Sequence, residues 1–120
     1  MEPTTHLFDK TDDFTIFAPG QTVFREGDTG DYMYVVKEGA VDIIINNRIV
    51  DTVRAGGVFG EIALIEDRPR SAAAVAQIES KLVRVNRTRF AFLVQQTPFF
   101  ALQLMSIMAS RLRRMDQRAA

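Results

Sequence analysis

Between Phe14 and Val85 short apolar runs alternate with turn-forming residues, and the runs have strand length. The pattern predicts strands at Phe14 to Phe17, Thr22 to Arg25, Tyr32 to Lys37, Ala40 to Ile45, Arg48 to Val53, Ala72 to Gln77 and Lys81 to Val85. That spacing of short strands describes a mainly β fold, a sandwich or a barrel. Two connections carry their own turn chemistry. Ala18-Pro19-Gly20-Gln21 suits a type II turn, since Pro presets φ and Gly supplies a positive φ. Asn46-Asn47 suits a tight hairpin, because Asn tolerates the left-handed region that a primed turn needs. Beyond Val85 the period changes. Phe90, Leu93 and Val94 predict a helix over about 87–96, Thr97-Pro98 stops it and starts another, and the last helix is expected over about 98–117. Along that helix Ala101, Met105, Met108, Leu112, Met115 and Ala119 alternate steps of four and three, the seam of a short coiled coil. A homodimer through this helix is therefore expected, although the same spacing also describes a helix packed on its own domain. Residues 1 to about 13 are polar and irregular, with no helical period from Thr4 to Asp13. The chain is read as one domain over 1–120, with the β part at about 14–86.

Chemistry concentrates between Phe59 and Ala74. Gly56, Gly57, Val58, Phe59 and Gly60 bring the backbone to a tight corner before the apolar turn Ile62 to Ile65, where a short helix is expected. The first amides of a helix lack intrahelical partners and sit at the positive end of its dipole, so a phosphate near Ile62 and Ala63 finds donors. Gly60 leaves that approach open. A carboxylate at Glu61 repels a phosphate, which makes sense only if Glu61 accepts from an adjacent hydroxyl such as a ribose 2′-OH. Nine residues on, Pro69 presets an extended entry and Arg70 offers a planar fork for two phosphate oxygens. Ser71, Ala72, Ala73 and Ala74 are small, leaving room for a ligand. Glu61 and Arg70 taken alone also describe a plain salt bridge.

Composition narrows the classes. The 15 Lys and Arg balance 15 Asp and Glu, so no whole-chain charge recruits nucleic acid or an anionic membrane. There is no Cys and a single His, His6, which excludes a Cys or Cys/His zinc site and disulfides. No triad, P-loop or metal set appears, so an enzyme is not expected. The N-terminus has neither a basic start nor an apolar run, and no stretch reaches membrane-spanning length; a cytoplasmic protein is expected. Glu26, Asp28 and Asp31 lack the spacing of a calcium loop and read as turn residues beside Gly27 and Gly30. Arg111, Arg113, Arg114 and Arg118 read as a solvated helix face. Asn86-Arg87-Thr88 reads as a strand-to-helix junction.

Phe-Gly-Glu-Ile-Ala-Leu at 59–64 followed by Pro-Arg-Ser-Ala at 69–72 resembles the phosphate-binding cassette of the cyclic nucleotide-binding domain family. The run from Phe24 to Val41 resembles the same family's strand-turn-strand signature, so the similarity spans about 14–115. The resemblance implies an eight-stranded antiparallel β-roll with C-terminal helices, binding cAMP or cGMP as ligand without a further cofactor. It also implies roles: Glu61 on the ribose 2′-OH, Arg70 on the cyclic phosphate, and the amides of Ile62, Ala63, Ser71 and Ala72 around it, with Phe59 and Gly60 framing the cassette. Leu112, Met115 and Asp116 are the candidate base contacts. The Thr and Ser with which the bacterial activator grips adenine fall here on Met115 and Asp116, and cAMP is expected ahead of cGMP. Too few residues follow Met115 for a recognition helix, so direct DNA binding is not expected; the partner is an unidentified effector protein. The alternatives are the sensor part of a longer transcription regulator, channel or kinase, and a β-barrel that binds no nucleotide.

Overall fold

Eight strands and three helices follow one another in the computed structural model, which describes residues 13–119. They are β1 (Thr15–Phe17), β2 (Thr22–Phe24), β3 (Tyr32–Glu38), β4 (Ala40–Ile45), β5 (Arg48–Arg54), β6 (Val58–Phe59), α1 (Ile62–Glu66), β7 (Ala73–Ala76), β8 (Ser80–Asn86), α2 (Arg87–Gln96) and α3 (Pro98–Ala119). His6 lies outside the described residues, as do the side chains of Met115, Asp116 and Ala119.

The strands form two antiparallel sheets, ordered β1-β8-β3-β6 and β2-β7-β4-β5. Strand β3 shows why a third layer is needed. Met33, Tyr34, Val35 and Val36 are buried in succession, so both faces of the strand must be covered. Tyr34 and Val36 face the second sheet, where they cluster with Phe59 and Leu82 of their own sheet and with Val41 and Ala74 of the facing one. Met33 and Val35 face the other way, onto Leu64, Phe100 and Leu104 of the helices. The result is the eight-stranded antiparallel β-roll with C-terminal helices that the resemblance implies.

Both turns take the conformations their residues favour. Gln21 N donates to Ala18 O at 3.0 Å with Gly20 at φ +82°, and Asn46 and Asn47 sit at φ +52° and +62°. Asn86 caps α2, its Oδ1 accepting from Arg89 N at 2.8 Å. Asp28 closes its own turn, its Oδ2 accepting from Arg25 N at 2.9 Å. One strand departs from the sequence reading. Val58 and Phe59, taken as part of a corner, pair with Val35 and Tyr34 as β6. Only tertiary pairing makes a strand of two residues, because nothing in so short a run carries a period.

The long helix also differs from expectation. Met105 and Leu112 of the expected seam are exposed, but Met108 turns inward against the core, and Leu102 joins the exposed face instead. No single helix among the described residues is long and apolar enough to cross a membrane.

Candidate functional site

The two sequence motifs meet at Arg70. Its backbone is clamped into the β2–β3 turn, Arg70 N donating to Asp28 O at 2.8 Å and Gly27 N donating to Arg70 O at 2.8 Å. Its side chain is 6% exposed. Nη1 donates to Gly60 O at 2.7 Å, Nη2 donates to Tyr32 O, and Cζ stands 4.0 Å from the centroid of the Phe24 ring. Nε is buried without a hydrogen-bond partner. No carboxylate reaches the guanidinium within ion-pair distance among the described residues. Burial pushes its pKa down, and the fields of Tyr34, Asp31, Glu61 and Asp28 pull it back only in part. A buried cation with an orphan donor and no counter-ion among the described residues is an arrangement that an anion would complete.

Gly60, at φ +79°, is required by this arrangement: a Cβ there would stand 2.7 Å from Arg70 Nη1. The sequence reading gave Gly60 the job of admitting a ligand; the structure shows that it first admits the arginine.

Glu61, 2% exposed, is a second buried charge close by. It occupies the cap position of α1, yet its side chain makes no capping bond. Its Oε1 instead accepts from Arg111 Nη1 at 2.7 Å, fifty positions along the chain. Arg111 Nη2 donates to Val58 O, and its Nε lies 3.4 Å from Asp51 Oδ2, within ion-pair reach but off hydrogen-bond geometry. Arg114 holds the same carboxylate by two long hydrogen bonds, Nη1 donating to Asp51 Oδ1 at 3.3 Å and Nη2 to Oδ2 at 3.4 Å. Arg111 is therefore not part of a solvated face: it joins α3 to β5 and to the corner before α1. The first bonds of α1 are donated by Leu64 and Ile65 to Glu61 O at 3.0 Å, so the amides of Ile62 and Ala63 fall before the ladder.

These groups share one cavity of about 670 Å³. Phe59, Gly60, Glu61, Ile62, Ala63, Arg70, Ser71, Ala72 and Leu112 all line it. Sequence reasoning missed the rest of the wall: Phe24 on β2, Ile43 and Ile45 on β4, Val50 and Asp51 on β5, and Met108 and Arg111 on α3. A signal existed for Ile43 and Ile45, which share a face by strand alternation, and for Arg111, which lies between Met108 and Leu112 on the helix. Which face would turn to the cavity was not written in either period. The cavity thus has a charged end, where a buried cation and a buried carboxylate adjoin free helix amides, and an apolar end of aliphatic side chains. It suits a ligand with an anion, an adjacent hydroxyl and a flat or apolar body.

Known proteins resemble this chain in sequence and in fold. Over 75 residues the chain is 40% identical to the cAMP-dependent protein kinase regulatory subunit of Eremothecium gossypii, covering 62% of this chain and 16% of that protein. The chain spans less than a fifth of the length of the curated relatives it matches. The catabolite activator protein of Thermus thermophilus superposes with a TM-score of 0.76 at 29% identity, over 88% of this chain and 53% of that one. The EAL enzyme Bd1971, solved in a cAMP-bound and a cGMP-bound form, superposes with TM-scores of 0.63 and 0.65 at 28% and 30% identity. These matches cover 88% of this chain and 29% and 30% of the Bd1971 chains. A family model described as the cyclic nucleotide-binding domain matches residues 14–97, which hold both sheets, the Arg70 clamp and Glu61. With fold, motif order and family model in agreement, the chain belongs to the cyclic nucleotide-binding domain family.

Proposed function

We propose that this chain is a regulatory sensor that binds one purine cyclic nucleotide, cAMP in preference to cGMP. The observation that carries the reading is Arg70: a buried guanidinium lacking a counter-ion among the described residues, with Nε unpaired there, on the wall of a cavity that also holds Glu61. The cyclic phosphate completes Arg70 and accepts from the amides of Ile62, Ala63, Ser71 and Ala72. The ribose 2′-OH donates to Glu61, whose Oε1 is already held by Arg111, so the hydroxyl takes the other oxygen. The base lies against Ile43, Ile45, Val50, Met108 and Leu112, with Met115 and Asp116 beyond them on the same helix. An apolar wall reads the flat face of a purine rather than its edge. The preference for cAMP rests on the regulatory-subunit relative, whose name states that dependence.

Ligand entry acts on the cassette and on α3 together, because Arg111 ties Glu61 to that helix. The signal leaves through a changed α3 surface to an effector protein. The exposed face with Leu102, Met105 and Leu112 is the proposed homodimer contact, and light scattering that reads 13.5 kDa rather than twice that mass at high concentration removes it. Catalysis, metal binding and direct DNA contact have no place in the proposal. Calorimetric titration of one preparation with both nucleotides tests it. Binding of cAMP at micromolar or tighter affinity, and weaker binding of cGMP, is the expected result; no heat with either ends the reading.

A further inference from the structure

The ring of Phe24 covers one face of the Arg70 guanidinium, 4.0 Å from centroid to Cζ. Other aromatic rings hold Phe24 in place, Phe59 at 5.9 Å and Tyr34 at 6.0 Å between centroids. A break of register between Thr22 and Phe24, where β2 pairs with β7, re-aims the strand at this point. Ring and cation then converge over the bare Cα of Gly60. A Cβ built there would lie 2.7 Å from Arg70 Nη1 and 3.4 Å from Phe24 Cε2.

The chemistry of that contact is specific. An aliphatic side chain at this position would strip water from the cation and return nothing, whereas the negative face of an aromatic ring returns electrostatic attraction. Stacking engages only the face of the guanidinium, so its in-plane donors stay available to oxygen acceptors. Of the five N–H donors, one on Nη1 and one on Nη2 are fixed by the carbonyls of Gly60 and Tyr32, and Nε–H is among the three left over. We propose that Phe24 is a positioning residue for anion recognition: its ring holds the Arg70 guanidinium in the plane required for the phosphate before any ligand arrives. This inference rests on the reading of Arg70 as the phosphate ligand. Orientation fixed in the free protein is not paid for at binding, so the ring acts on affinity without touching the phosphate itself.

Two measurements test this on the full chain. In the nitrogen-15 spectrum of the free protein, the Arg70 Nε–H resonance, identified by its loss in Arg70→Lys, carries a ring-current shift. Phe24→Tyr keeps that shift and Phe24→Leu abolishes it. In calorimetry with cAMP, Phe24→Leu weakens binding by about 3- to 30-fold, the range of a desolvated cation–π contact, and Phe24→Tyr stays within about 3-fold of the parent. Equal affinities for the Leu and Tyr variants overturn the proposal, and so does a loss of affinity in Phe24→Leu with the Arg70 resonance unmoved. A parent protein that binds neither nucleotide overturns the binding reading of the site, and with it the role in recognition; the resonance then still decides whether Phe24 fixes Arg70.

Discussion

Two arginines face the same cavity and are held in opposite ways. Arg70 is almost fully buried, stacked on Phe24 and bonded to two backbone carbonyls, with no carboxylate in ion-pair reach among the described residues. Arg111, its side chain 23% exposed, sits between the carboxylates of Glu61 and Asp51. Carbonyls and a ring orient a cation without neutralising it; carboxylates do both. Arg70 therefore keeps a charge that no carboxylate among the described residues neutralises, at a cost in desolvation, whereas the charge of Arg111 joins α3 to β5 and to the corner before α1. The lesson is that burial of a cation says less about its role than the identity of its partners.

The sharpest way to break this contrast is Arg70→Leu. Affinity for cAMP should fall by about 10- to 200-fold, roughly 1.5 to 3 kcal/mol, while the melting temperature holds or rises, since an uncompensated buried charge is removed. Calorimetry and a thermal melt on the same sample read both, and a melt that drops along with the affinity would mean that the bonds to Gly60 O and Tyr32 O make Arg70 a structural residue as well. Arg111→Met should behave in the opposite way. It strands Glu61, whose side chain is 3% exposed, so stability should fall by about 2 kcal/mol, with hydrogen exchange quickening in α3. Unchanged exchange in α3 would mean that the helix is held by Phe100 and Leu104 alone. Arg114→Ala gives the smallest effect. Its pair with Asp51 is long and its side chain is 49% exposed, so the change in stability should stay within about 0.5 kcal/mol by urea unfolding. A larger loss would extend the Arg111 network outward.

Elements with a local cause could be read from the chain. The Gly20 and Asn46-Asn47 turns, the helix break at Thr97-Pro98 and the five-residue helix after Glu61 are all set by the conformational limits of residues adjacent in sequence. The position of the cassette was legible for the same reason: glycines, a carboxylate, an arginine and small residues lie within one short stretch. Strand β6 was not, because Val58 and Phe59 become a strand only by pairing with β3. Nor was the inward turn of Met108, since a seam with steps of four and three fits either an intramolecular or an intermolecular partner.

The sequence by itself determined the residue types of the site, the order of its two motifs and the local turns that shape it. Tertiary structure alone decided the partners: that the turn at Gly27 and Asp28 clamps the backbone of Arg70, that Phe24 supports its side chain, and that Glu61 answers to Arg111. Backbone conformation is fixed by neighbours a few bonds away, but a buried charge is satisfied by whatever the fold carries to it. Glu61 and Arg111 are fifty positions apart, and no pattern within either segment encodes the distance between them.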